Sequence, residues 1–272
     1  MSHGLLLAAD KPAGISSNRF LGELKRNYGF KKGGFSGTLD PFAEGVLVVA
    51  LGTYTRLFPY LNFSPKRYLA TLLLGAYSPT LDNEQIERIE DVKPIDPAML
   101  LAFIKGLKGP LTMPAPHYSA KHINGKRAYD LARAGIAFET PLIQSNIIEV
   151  RLISYEHPFV VFEATVSQGT YIRSLGAHIA AHFGYHGALT RLRRLSEGNF
   201  TPSNNPIDPL PHLAYPILTE PIDASIVRNG KPITMLPEEI HGRVVLYYPQ
   251  RFLSIIERNN EGGFSYLATI DL

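Results

Sequence analysis

The sequence predicts an α/β fold of the α+β kind, with a large domain over residues 1–205 and a small β-rich module over 225–272. Three observations carry that expectation. The uniformly apolar runs GVLVVALG and RYLATLLLG have the composition of strands buried on both faces. Segments with apolar residues at helical spacing lie between such runs. The stretch TPSNNPIDPLPHLAYPILTEPID holds six prolines, so it reads as a loop-rich connection and not as a helix.

Each element follows in order. LLLAAD stops at Lys-Pro-Ala-Gly, a strand and then a turn. Ser16, Ser17 and Asn18 offer caps for a helix carrying Phe20, Leu21 and Leu24. A Gly-rich basic loop from Lys31 to Gly37 leads to Asp40 and then to GVLVVALG. After RYLATLLLG, the residues Met99, Leu100, Phe103 and Ile104 mark a helix between Lys93 and Gly106. Arg127 to Ala134 predicts a second helix, ended by Gly135. VVFEATVSQGTYIRSLGAHIAAHFG reads as strand, glycine turn and helix. GRVVLYYP, RFLSIIER and FSYLATIDL are the short strands of the terminal module.

Composition narrows the function. A chain of 272 residues buries about three quarters of its unfolded surface. Its 45% hydrophobic and 19% charged content belongs to a folded globular protein. No run approaches the ~18 apolar residues of a membrane span, and the apolar start is too short for a secretory signal. A cytoplasmic protein is expected. Without cysteine there are no disulfides, thiolate nucleophiles or Cys-based zinc sites. His178 and His182 have metal-protease spacing but no Glu after His178, so no metal is expected; Lys-Ser/Thr does not follow the glycines, so there is no P-loop. The net charge of +3 says little alone. Its distribution says more, because Lys11, Arg19, Lys25, Arg26, Lys31 and Lys32 face only Glu23 between residues 11 and 35.

Three segments hold residues suited to chemistry. GGFSGTLDPFAEGVL places Asp40 in a Gly-rich loop before a buried strand, with Pro41 restricting its backbone. In VSQGTYIRSLG, Gly169 permits a tight turn; if the stretch is extended, Tyr171 and Arg173 project to one side. An aromatic and a cation there suit a flat base and a carboxylate. SPKRYLATLLLG puts Tyr68 at the mouth of a strand. From residue types alone, each segment is equally well ordinary structure, Asp-Pro being a common turn initiator.

Taken together, the segments resemble a known family. DKPAGISS, GFSGTLDPFAEGVL, KRYLATLLLGAYSPTLD, YSAKHINGKRAYDLARAG, VSQGTYIRSLG and GALTRLRRLSEGNF resemble, in order, six motifs of the TruB family of tRNA pseudouridine synthases. They cover most of residues 9–200. The resemblance implies a catalytic domain on a mixed, mainly antiparallel sheet and a C-terminal RNA-binding module of the PUA type. It implies isomerisation of uridine to pseudouridine at position 55, in the T-loop of tRNA, without metal or cofactor. A monomer acting on the T-arm, away from membranes, is expected. It also implies that Asp40 is the catalytic aspartate, Tyr68 the active-site tyrosine and Arg173 the associated arginine.

The reaction breaks N1–C1′, rotates the base and joins C5 to C1′. An ionised carboxylate beside the sugar serves as nucleophile or assists elimination. Arg173, if paired with Asp40, would lower its pKa by about 1–3. Tyr68 would stack on the uracil, a contact of roughly 1–3 kcal/mol, with its hydroxyl a candidate general base. Phe35, Gly37, Thr38 and Tyr171 are expected near the base, and the basic residues from Lys11 to Lys32, with Lys126, Arg127, Arg191, Arg193 and Arg194, near phosphates. The chain departs from the family pattern at Phe35, usually His; at Met113-Pro114-Ala115-Pro116, usually Gln-x-Pro-Pro; and at His122, usually Lys. Phe35 either fills the space of a flipped base or packs into the core. Two rivals are an RNA chaperone on the same fold and a glycoside hydrolase with Glu44 as its second acid.

Overall fold

A computed structural model describes residues 4–119, 121–123, 125–203, 205–233, 236, 241–259 and 262–272; at 122, 123, 126, 127, 132 and 133 it describes the backbone alone. The strands are β1 (Gly4–Lys11), β2 (Gly33–Phe35), β3 (Glu44–Gly52), β4 (Lys66–Leu74), β5 (Ala76–Tyr77), β6 (Arg88–Ile89), β7 (Gly109–Pro114), β8 (His122–Ile123), β9 (Lys126–Arg127), β10 (Leu142–Glu156), β11 (Phe159–Val166), β12 (Gly187–Glu197), β13 (Ile217–Thr219), β14 (Arg243–Tyr248), β15 (Phe252–Arg258) and β16 (Phe264–Asp271). The α-helices are α1 (Ser17–Asn27), α2 (Pro97–Gly106), α3 (Ala128–Arg133), α4 (Ile172–His182) and α5 (Ala224–Arg228). None of the described helices is long and apolar enough to cross a membrane.

The main sheet runs β1-β3-β12-β4-β11-β10-β7, with β2 added beside β3. Only β12 and β3 are parallel; every other pairing in it is antiparallel. The sheet is therefore mixed and mainly antiparallel, the architecture the resemblance implied. A second sheet, β13-β14-β15-β16, forms the C-terminal module. Its first strand, β13, starts at Ile217 and pairs parallel to β14.

Sequence periodicity missed β12, an interior strand between β3 and β4. Its arginines at 191, 193 and 194 disguise it as a surface segment, and two bulges interrupt its register with β4. β12 approaches β3 at Gly45, where φ is +103° and a Cβ would lie 2.3 Å from the Arg194 carbonyl oxygen. Any side chain there would push the two strands apart.

β3 explains why GVLVVALG is apolar throughout. Leu47, Val49 and Leu51 face a core with Leu72, Phe162, Leu100 of α2 and Leu175 of α4. Val46, Val48 and Ala50 face the opposite way, with Leu6 and Ala8 of β1, onto Val245, Leu253, Ile255 and Ile270 of the second sheet. The proline-rich connection runs beside β1, its Ser203 and Ile207 amides donating to the Ala8 and Leu6 carbonyls.

Candidate active site

Asp40 lies in the loop between β2 and β3, and the DKPAGISS segment holds that loop. Ser16 caps α1 by accepting from the Arg19 amide. Ser17 is buried, and its hydroxyl both donates to the Leu39 carbonyl (2.8 Å) and accepts from the Leu39 amide (2.9 Å). On the other side of Asp40, the Gly14 amide donates to the Pro41 carbonyl. The residues flanking the carboxylate are thus tied to the start of the chain, which limits where it can move.

Arg173 reaches Asp40 from α4. Gly169 makes the turn with φ +87°, but the residues after Tyr171 are not extended. Tyr171 is the N-cap, and Ile172 and Arg173 open the helix. Tyr171 keeps an extended backbone as the cap while Arg173 is helical, so the strand alternation that would place the two on one side does not apply. Tyr171 is half-buried and Arg173 is buried. The Arg173 guanidinium lies 2.9 Å from Asp40 Oδ2 and 3.3 Å from Asp82 Oδ2, and it donates to the carbonyls of Thr80 (2.7 Å) and Tyr118 (2.9 Å).

Asp82 was missed. It is buried, and its Oδ1 accepts from the Thr80 hydroxyl and the Glu84 amide. The signal was present in SPTLD, at the end of the motif that carries Tyr68, but a Ser/Thr/Asp cluster looks like a turn. Glu44, considered as a second acid, is instead 3.4 Å from Arg193.

Burial pushes the Asp40 carboxyl above its ordinary range, with Arg173 the strongest opposing influence, Asp82 adding to the rise and Lys11 opposing it. The expected pair with Arg173 exists, yet the net direction is upward, because desolvation outweighs one cation shared with a second carboxylate. A third of the Asp40 side chain remains open to solvent, which moderates the rise. Tyr68 is 7% exposed. Burial pushes its hydroxyl up too, against the opposing charge of Arg194, so it is a phenol at neutral pH and a poor base.

The remaining candidates divide by burial. Lys11 is fully buried and donates to the Pro12 and Ile15 carbonyls. Arg193 is engaged by Asp10 (2.6 Å) as well as Glu44, and Arg194 is 1% exposed. None of these three presents a free cation outward, contrary to the phosphate-contact reading; local sequence cannot tell an arginine buried against a carboxylate from a solvated one. Arg26, Lys31, Lys32 and Arg191 are exposed and carry no ion pair among the described residues. Thr38 is exposed, Gly37 half-buried, and Phe35 half-buried against the core. The side chains of Lys126, Arg127 and His122 lie outside the described residues.

With this geometry in place, comparisons define the class. The chain shares its fold with a chain in a Cbf5-Nop10-Gar1 complex, at TM-score 0.57 and 26% identity, over 74% of this chain and 50% of that one. A chain from an H/ACA RNP bound to a substrate RNA containing 2′-deoxyuridine superposes over 99% of this chain and 84% of its own, at TM-score 0.63 and 19% identity, a likeness of fold alone. Residues 25–172 match the TruB family pseudouridylate synthase N-terminal domain. Among similar proteins, tRNA pseudouridine synthase B of Sulfurimonas denitrificans is 57% identical over 75% of each chain. That of Helicobacter hepaticus is 45% identical over 98% of this chain and 95% of its own. The chain belongs to the TruB family of pseudouridylate synthases.

Proposed function

We propose that the chain isomerises uridine 55 in the T-loop of tRNA to pseudouridine, acting as a monomer on the T-arm in the cytoplasm. The observation that carries this reading is the Asp40–Arg173 pair, part-open to solvent in a loop clamped on both sides. The ionised Asp40 acts at C1′ or assists elimination across C1′–C2′ as the N1–C1′ bond breaks. The electron pair stays on the departing uracil, which rotates; C5 joins C1′ and loses its proton, and N1 ends protonated. Atoms and electrons balance within the nucleotide.

Arg173 orients Asp40 and keeps its ionised form accessible despite burial. Tyr68 is the wall against which the loose base rests. Extruding the uridine from a folded loop costs a few kcal/mol. Phosphate contacts from Arg26, Lys31, Lys32 and Arg191 offset it, these being expected phosphate contacts that are exposed and carry no ion pair among the described residues. The second sheet is the PUA-type RNA-binding module. The test is incubation with unmodified tRNA transcript, followed by mapping of pseudouridine by carbodiimide labelling. Modification at position 55 supports the reading; tRNA refolding without modification would favour a chaperone.

A further inference from the structure

Beneath the Asp40 loop lies a second group of buried charges that the chemistry above does not use. β4 and β12 are antiparallel neighbours there, with Tyr68 opposite Arg194 and Lys66 opposite Glu197. Lys66 and Tyr68, two apart on one strand, share a face. A bulge between Arg194 and Ser196 brings Glu197 onto that same face of β12. Directly opposed residues have Cβ atoms about 4.5–5.5 Å apart. The four side chains therefore form one block.

Its contacts are specific. Glu197, fully buried, receives Lys66 Nζ at 2.7 Å on Oε1 and Arg194 at 3.3 Å on Oε2. The Ser36 hydroxyl donates to Oε2 at 2.7 Å. Arg194 also donates to the carbonyls of Val46 (2.6 Å) and Gly37 (3.2 Å). A Cβ at Gly37 would lie 3.0 Å from Lys66 Nζ, so the loop backbone rests on the block itself. Two cations thus share one carboxylate, out of water. Packed hydrophobic residues of equal volume are often at least as stable as such a group, so stability alone does not account for it.

We infer that Arg194 is a positioning residue for the reaction: Glu197, Val46 and Gly37 hold its guanidinium, and it fixes the hydroxyl of Tyr68 across the strand pair. The inference rests on the proposed role of Tyr68. It casts that hydroxyl as a fixed hydrogen-bond donor toward the base and not as a base itself. The pressure of burial on the Tyr68 proton, opposed by Arg194, agrees with that role.

The test is a double-mutant cycle on the full chain with unmodified tRNA transcript, using Tyr68→Phe, Arg194→Lys and both together, with a thermal melt of each. Arg194→Lys is expected to lower kcat at least about tenfold with KM within about threefold. In the Tyr68→Phe background the same change should alter kcat by less than about threefold, since the hydroxyl it positions is gone. If Arg194→Lys does not fold, Arg194→Gln leaves Lys66 and Glu197 as a balanced pair and carries the same cycle. Costs that multiply in the double variant overturn the inference, as does failure of both Arg194 variants to fold. A Tyr68→Phe enzyme as active as wild type would instead overturn the reading of Tyr68, before Arg194 is considered.

Discussion

The two faces of β3 are buried to a similar degree and built from opposite materials. Toward the second sheet, the side chains of Val46, Val48 and Ala50 pack into an apolar cluster that includes the rings of Tyr54 and Phe63. On the other side the apolar core is bordered by Asp40, Asp82, Arg173, Lys66, Arg194 and Glu197, most of them less than a tenth exposed. Burying apolar surface stabilises by roughly 25 cal/mol per Å², while burying charge returns little even when paired. The apolar face therefore supplies the stability on which the charged face depends.

Removing residues 206–272 would break the comparison most severely. It strips the cover from Leu6, Val46, Val48 and Ala50 at once, and a patch of that kind drives aggregation. The truncated chain should be insoluble or molten, and turnover should be lost altogether. A soluble, cooperatively melting fragment would show that the second sheet is a separable appendage.

Asp40→Asn should separate function from stability on the charged face. Turnover should fall by roughly a hundredfold or more, while tRNA affinity changes only a few-fold, since phosphate contacts supply most of it. Because burial raises the Asp40 pKa, its ionised form costs stability as pH rises through the folded value, so the neutral amide should melt at the same temperature or higher at pH 7. A clear fall in melting temperature would mean that the pair with Arg173 is chiefly structural.

Lys11→Met probes the same face through pH. Lys11 favours the Asp40 carboxylate, so its loss should move the acid limb of kcat/KM to higher pH. Lys11 itself is lowered to about 8 by burial, with Asp40 opposing and Arg194 adding to the fall. Its ammonium is less favourable folded than unfolded, so wild type should gain stability as pH rises from about 8 toward 10.5, a rise the variant lacks. An unmoved acid limb would mean that Asp40 does not set it.

The smallest expected effect is at Phe35. The ring is half-buried beside the core, and β2 pairs Phe35 with Val49. Phe35→Ala should cost about 2 kcal/mol, less than the 3–5 of a fully buried ring, read from urea or thermal unfolding. Turnover on folded tRNA should change in proportion to the fraction folded. An unchanged melting temperature with slowed turnover would show instead that the ring fills the space of the flipped base.

Local pattern was enough for much of this molecule. Strands with two apolar faces, the Ser16 cap, the proline-rich connection and the loop carrying Asp40 all follow from neighbouring residues, because propensity and burial periodicity act over a few positions. The contacts that make the site act between residues far apart in the chain. Arg173 meets Asp40 and Asp82 only after α4 has packed against the sheet, and a helix begins directly after Tyr171 where the sequence reads as extended. The arginines of β12 look alike on paper, yet one is exposed, one engages Asp10 and Glu44, and one is buried against Glu197. A charge carries no mark of its burial in the sequence; its partner and its distance from water are set when β12 enters between β3 and β4.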